Sequence, residues 1–131
     1  MFVNISNQMS PKWSGAQCDA AVALANGGEI SDLLFPCVSP DDSDADVMDI
    51  AQRTVKVALA TIGARNSHIE EKDVFHVMGE ITCTFHIVNA LKNLGYKVVA
   101  STFHRVKERR IDDDGSEIYT EAYKFVQFRE Y

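Results

Sequence analysis

Three short polar clusters in this chain have the residue types that hold or process a charged small molecule. Ser6-Asn7 places a hydroxyl and a carboxamide directly after a short apolar run. Gly79-Glu80-Ile81-Thr82 joins a glycine suited to a tight turn to a carboxylate and a hydroxyl. A helical pattern begins there, so free amides and a partial positive charge face whatever lies before it. Ser101-Thr102 is followed by His104, which could move a proton, and Arg105, which could contact a phosphate. A plainer account of the central cluster stays open: Gly79 allows the turn, Thr82 caps the helix and Glu80 sits in the favourable field of the helix start.

Stronger motifs are missing. Neither the glycine spacing of dinucleotide binders nor a Gly-Lys-Ser/Thr phosphate loop occurs, which excludes typical nicotinamide and nucleoside-triphosphate enzymes. His68, His76, His86 and His104 lack metal-ligand spacing, so no metal or cofactor is expected. His76 and His86 read as packing or surface residues. Cys18, Cys37 and Cys83 are odd in number and far apart, and read as buried thiols in a reducing compartment. Arg105, Lys107 and Arg109 alternate onto one face of a strand, either a solvated edge or a cationic rim. Asp112-Asp113-Asp114 reads as turn chemistry.

These clusters need elements to position them. Phe2 to Ser6 reads as a first strand, and a helix follows with Ser10-Pro11 at its start and Gly27-Gly28 at its stop. A second strand spans Glu29 to Phe35. Cap residues and carboxylates from Ser39 to Asp44 open a second helix, whose buried side is Val47, Ile50, Val55, Val57, Leu59 and Ile62. After a polar break from Gly63 to Lys72, Asp73 to Met78 is a central strand. The next helix has Ile81, Phe85, Val88, Leu91 and Leu94 as its core stripe, and Lys97 to Ala100 is a fourth strand. Phe103–Ile111 and Ile118–Phe128 then form a closing β-hairpin around the acidic turn.

The alternation predicts an α/β domain spanning residues 1–131: a Rossmann-like three-layer sandwich with a mainly parallel sheet of about four strands and a C-terminal β-hairpin. In such sheets ligands collect beyond the carboxyl ends of the strands, and the three polar clusters map to that edge. With 131 residues and 46% hydrophobic side chains the chain can bury a continuous core. A net charge of −6 argues against sequence-independent binding to duplex nucleic acid, while leaving local phosphate recognition possible. No stretch approaches the roughly 20 apolar residues of a membrane span, and a cytoplasmic location is expected.

Three stretches, His76-Val77-Met78-Gly79-Glu80-Ile81-Thr82, Val98-Val99-Ala100-Ser101-Thr102 and Phe125-Val126-Gln127-Phe128-Arg129-Glu130-Tyr131, resemble small CRISPR-associated Rossmann-like proteins, including the compact ring nucleases. The resemblance implies a homodimer in antiviral defence that binds a cyclic oligoadenylate second messenger across its two-fold axis and linearises it. By position it falls on Ser6, Asn7, Gly79, Glu80, Thr82, Ser101 and Thr102. Cleavage would need no metal, because a ribose 2′-hydroxyl can attack the adjacent phosphate once the two are held in line. Thr82, His104 and Glu80 are then the candidate catalytic residues, and Ser6, Asn7, Gly79, Ser101, Thr102 and Arg105 the candidate ligand contacts. The alternative is a non-enzymatic nucleotide-sensing or protein-interaction module on the same fold.

Overall fold

The computed structural model describes residues 1–63 and 72–131; His68 and most of the expected break between Gly63 and Lys72 lie outside them. The elements run β1 (Phe2–Ser6), a 3-10 turn (Ser10–Lys12), α1 (Gly15–Leu24), β2 (Ile30–Leu34), α2 (Asp44–Thr61), β3 (Val74–Met78), α3 (Ile81–Asn93), β4 (Lys97–Ile111) and β5 (Glu117–Glu130). They build a five-stranded sheet of order β2-β1-β3-β4-β5. The first four strands are parallel, and β5 returns antiparallel to β4. This is the mixed α/β, Rossmann-like sandwich that the alternation of patterns implies.

Because side chains alternate across a strand, the buried strands feed two cores. Val3, Ile5, Phe75, Val77 and Val98 face α2 and α3, meeting Val47, Ala51 and Val55 from one helix and Cys83, Ile87 and Leu91 from the other. Full burial of a side chain of this size contributes about 1.5–3 kcal/mol. Phe2, Val74 and Val99 point to the opposite face and pack with Trp13, Ala21 and Ala25. One helix therefore covers one face and two cover the other.

Several local expectations shift. Ser14, rather than Ser10, caps α1 by accepting from the Gln17 amide at 3.2 Å, and Trp13 precedes the helix. Ser43 caps α2 in a reciprocal box with Asp46. On α3 the buried side is Cys83, Ile87, Val88 and Leu91, whereas Ile81 and Phe85 are 83% and 64% exposed and Leu94 is exposed as well. That helix carries apolar residues on more than one face, so periodicity alone cannot choose which face turns inward. Cys37 is exposed and Cys18 half-buried, leaving Cys83 as the fully buried thiol.

The largest difference lies in β4. The expected fourth strand and first hairpin strand are one continuous 15-residue strand, so Ser101 and Thr102 sit within it rather than in a loop. Nothing between Ala100 and Phe103 breaks an extended chain: there is no glycine, proline or asparagine, and Thr102 and Phe103 favour strands. A register shift between Thr102 and Phe103 separates the part of β4–β5 that belongs to the sheet from a two-stranded ribbon beyond it. The ribbon closes as expected at its acidic turn, where the Gly115 amide donates to the Asp112 carbonyl at 2.9 Å and Gly115 adopts φ +83°.

Candidate functional site

Four strands each contribute one polar side chain to a single row on the α1 side of the sheet. Asp32 of β2 accepts from the Asn4 carboxamide of β1 at 2.7 Å. Asn4 Oδ1 lies 2.8 Å from His76 Nδ1 on β3, and His76 Nε2 lies 3.1 Å from Ser101 Oγ on β4. Asn4 and His76 are fully enclosed, and Ser6 and Ser101 nearly so. The row is roofed by rings: Phe2 stacks near His76, and Trp13 and Phe128 approach it edge-on at centroid distances of 5.6 and 5.4 Å.

Asn4 Oδ1 can only accept, so His76 Nδ1 donates to it. Burial disfavours the charged imidazole and pushes the His76 pKa down from 6.5 to about 4, which leaves the ring neutral at pH 7. Burial pushes the Asp32 carboxyl up, but hydrogen bonds from Asn4 and from the side chain and amide of Ser10 outweigh it, and the net shift is downward. Serine, imidazole and carboxamide stand in the order nucleophile, base and orienter. Roofed by the rings, the row serves as an internal brace: it ties four strands together and satisfies their polar atoms.

The loop after β1 is drawn into the same network. The Gln8 carbonyl accepts from Asn4, from the Ser6 hydroxyl and from the Trp13 indole at 2.9, 2.9 and 3.1 Å. Ser6 is thus internally engaged, while Asn7 beside it is exposed.

At the start of α3, Glu80 is the capping residue. Its carboxylate accepts from the amides of Thr82 and Cys83 at 3.1 and 2.7 Å and from the Thr82 hydroxyl at 2.9 and 2.7 Å. These bonds hold the Glu80 carboxyl below the usual range, the Cys83 amide contributing most. The protein's own carboxylate therefore occupies the anion position at this helix start. Gly79 is required for packing rather than for an unusual turn: an added Cβ would lie 2.4 Å from the Phe35 ring. Gly79 also lines a cavity of about 660 Å³ together with Met78, Thr84, Phe85 and Tyr131.

The remaining candidates lie on β4. Thr102 donates to the Gln127 carbonyl at 3.1 Å. Alternation puts Arg105 on the α1 side with Ser101 and Phe103, and His104 on the opposite side, paired across the ribbon with Lys124. Arg105 stands 5.9 Å over the Tyr123 ring and 3.6 Å from Glu121. The structure thus brings Ser6 and Ser101 into one network and Glu80 and Thr82 into one cap, and leaves Asn7, His104 and Arg105 exposed. Among the described residues no group of three or more His, Cys, Asp or Glu side chains is placed to hold a metal ion, and no helix is long and apolar enough to cross a membrane.

Asn4, Asp32 and His76, the centre of the polar row, were not singled out by the residue patterns as a group. Their signal was a polar residue at the middle position of each short, largely apolar strand, in Phe2-Val3-Asn4-Ile5-Ser6, Ile30-Ser31-Asp32-Leu33-Leu34 and Val74-Phe75-His76-Val77-Met78. Only the register, which pairs Asn4 with both Asp32 and His76, turns three separate residues into a row.

The strand order puts the point where the crossovers change face between β1 and β3, with the Ser6-Asn7 and Gly79-Glu80 loops beside it. This architecture defines a class: an open, doubly wound α/β protein with a ligand-prone edge. The chain belongs to the family described as "Uncharacterized protein MJ1673 family", whose model matches residues 1–129. No curated protein and no solved structure matches it.

Proposed function

We propose that this protein is a homodimeric binder of a nucleotide second messenger, taking a cyclic oligoadenylate at the carboxyl edge of its parallel strands in CRISPR-linked antiviral defence. The observation that carries the reading is the convergence at the switch point. The loops after β1 and β3 flank it, and the exposed guanidinium of Arg105 stands on the α1 side of β4, which pairs with β3. An acidic chain that binds a phosphorylated ligand needs such local cations, because its overall field repels one.

In the fuller form of this reading the protein opens the ring. A ribose 2′-hydroxyl attacks the neighbouring phosphorus, the 5′-oxygen leaves with a proton, and a 2′,3′-cyclic phosphate remains; positioning would supply most of the rate. A specific observation favours the second reading, a sensor without turnover. Glu80 and Thr82 are hydrogen-bonded to each other in a helix cap, and His104 lies on the face of β4 opposite Ser101 and Arg105.

The test is incubation with radiolabelled cyclic tetra-adenylate and cyclic hexa-adenylate, with and without divalent metal, following retention and conversion. Metal-independent conversion lost on Thr82→Ala or His104→Ala supports the nuclease, and retention without conversion supports the sensor. Neither retention nor conversion removes the cyclic ligand from consideration.

A further inference from the structure

A second hollow, of about 340 Å³, lies between the start of α1 and the base of the ribbon. We propose that it is a nucleobase site selective for adenine, with the nucleotide's phosphate held at the start of α1. The proposal rests on the nucleotide reading above and deepens it, by assigning the base to a pocket of its own.

Gln17 carries the argument. Five polar residues are buried among the described ones: Asn4, Ser6, His76, Ser101 and Gln17. The first four satisfy one another in the polar row. Gln17 is only 3% exposed, yet its carboxamide bonds to no described residue, and it lines the hollow. Its polar atoms are not among the enclosed ones, so the carboxamide opens on the hollow and offers two donors and an acceptor to whatever occupies it.

The walls indicate what that ligand is. Trp13, Phe103 and Tyr123 line the hollow together with Gln17, and Arg105 stacks over Tyr123. Aromatic walls select a flat ring, and a volume of about 340 Å³ suits one nucleotide. A carboxamide presents a donor and an acceptor side by side, the complement of the N7 acceptor and N6 donor of adenine. Guanine offers two acceptors on that edge and suits arginine instead. Lys12 and the α1 cap Ser14 line the same hollow, and the Gly15 and Ala16 amides donate to no described group. The helix dipole and Lys12 would therefore receive the phosphate.

Trp13 is the chain's single tryptophan, so its emission reports occupancy of this hollow directly. Purified full-length protein is titrated with AMP, GMP, CMP and UMP. Saturable quenching by AMP is expected, with at least about tenfold weaker binding of the other three and a loss of about tenfold or more in AMP affinity for Gln17→Leu, as for a bidentate base contact. Because Gln17 is buried, Tyr123→Ser on the exposed ribbon is the second variant, with the same loss expected, and Tyr119→Ser outside the hollow should bind as the parent does. Absence of saturable AMP quenching, or unchanged AMP affinity in both Gln17→Leu and Tyr123→Ser, overturns the proposal. Retention of cyclic tetra-adenylate by Tyr123→Ser at parental affinity overturns it too while leaving the cyclic-ligand reading intact. AMP binding without retention of either cyclic ring does the reverse.

Discussion

The two faces of the central strands solve the same burial problem differently. Toward α2 and α3 the sheet presents Val3, Ile5, Phe75, Val77 and Val98, an apolar surface whose stability comes from area and packing density. Toward α1 the same strands present Asn4, Ser6, His76 and Ser101 between Phe2, Val74 and Val99. That face is held by a chain of directional bonds under a roof of rings, so it is sensitive to the loss of single atoms and to pH. An apolar face tolerates rearrangement at the cost of density; a polar row specifies one register, because every donor must meet its acceptor.

Substitutions separate the two. Phe75→Ala empties the apolar face and should lower unfolding stability by about 3–5 kcal/mol at any pH, read by urea denaturation. The α1 face should instead answer to acid. His76 has its folded pKa depressed to about 4, so the unfolded chain takes up the proton first. Stability is then full above pH 6.5, falls as the pH drops from 6.5 toward 4, and is flat in this term below that. The loss amounts to about 3 kcal/mol at roughly 1.4 kcal/mol per pKa unit. Denaturation at a series of pH values should show this slope in the parent protein and lose it in His76→Gln; a parent curve flat across that window would reduce the polar row to a passive filler. The smallest effect is expected from Ser101→Ala. It removes the hydroxyl that partners His76 Nε2 and Met78 Sδ but leaves the Phe128 ring in place, and should cost about 1 kcal/mol at neutral pH.

Legibility in the sequence followed the same division. Alternating runs and caps placed the β1, β3, α2 and α3 segments, because those signals are local: apolar period, a capping hydroxyl, a glycine stop. Where two local signals competed, the pattern misled. Ile81, Phe85 and Leu94 make as regular a stripe as Cys83, Ile87 and Leu91, and the inward side was chosen by how α3 leaves β3 through Gly79 and the Glu80 cap. Ser101 and Thr102 were expected beyond a strand end, and they lie inside β4 because extended pairing with β5 continues through them.

The candidate site divides in the same way. Ser6, Glu80, Thr82 and Ser101 have ligand chemistry by residue type, yet each is bonded within the protein, and Glu80 stands where an anion would have been expected. Gln17 drew no notice in the sequence, since one glutamine in a helix is ordinary. It stands out only once Trp13, Phe103 and Tyr123, from three separate parts of the chain, line one hollow with it.

By itself the sequence determined the alternation of strands and helices through α3, a closing hairpin and an acidic net charge, because these depend on neighbours along the chain and on total charge. The tertiary structure decided which residues share a face: the row from Asp32 to Ser101, the inward side of α3 and the hollow that Gln17 shares with Trp13, Phe103 and Tyr123. Each of these depends on strand register and helix rotation, and a shift of one residue in a strand sends its side chain to the other side of the sheet.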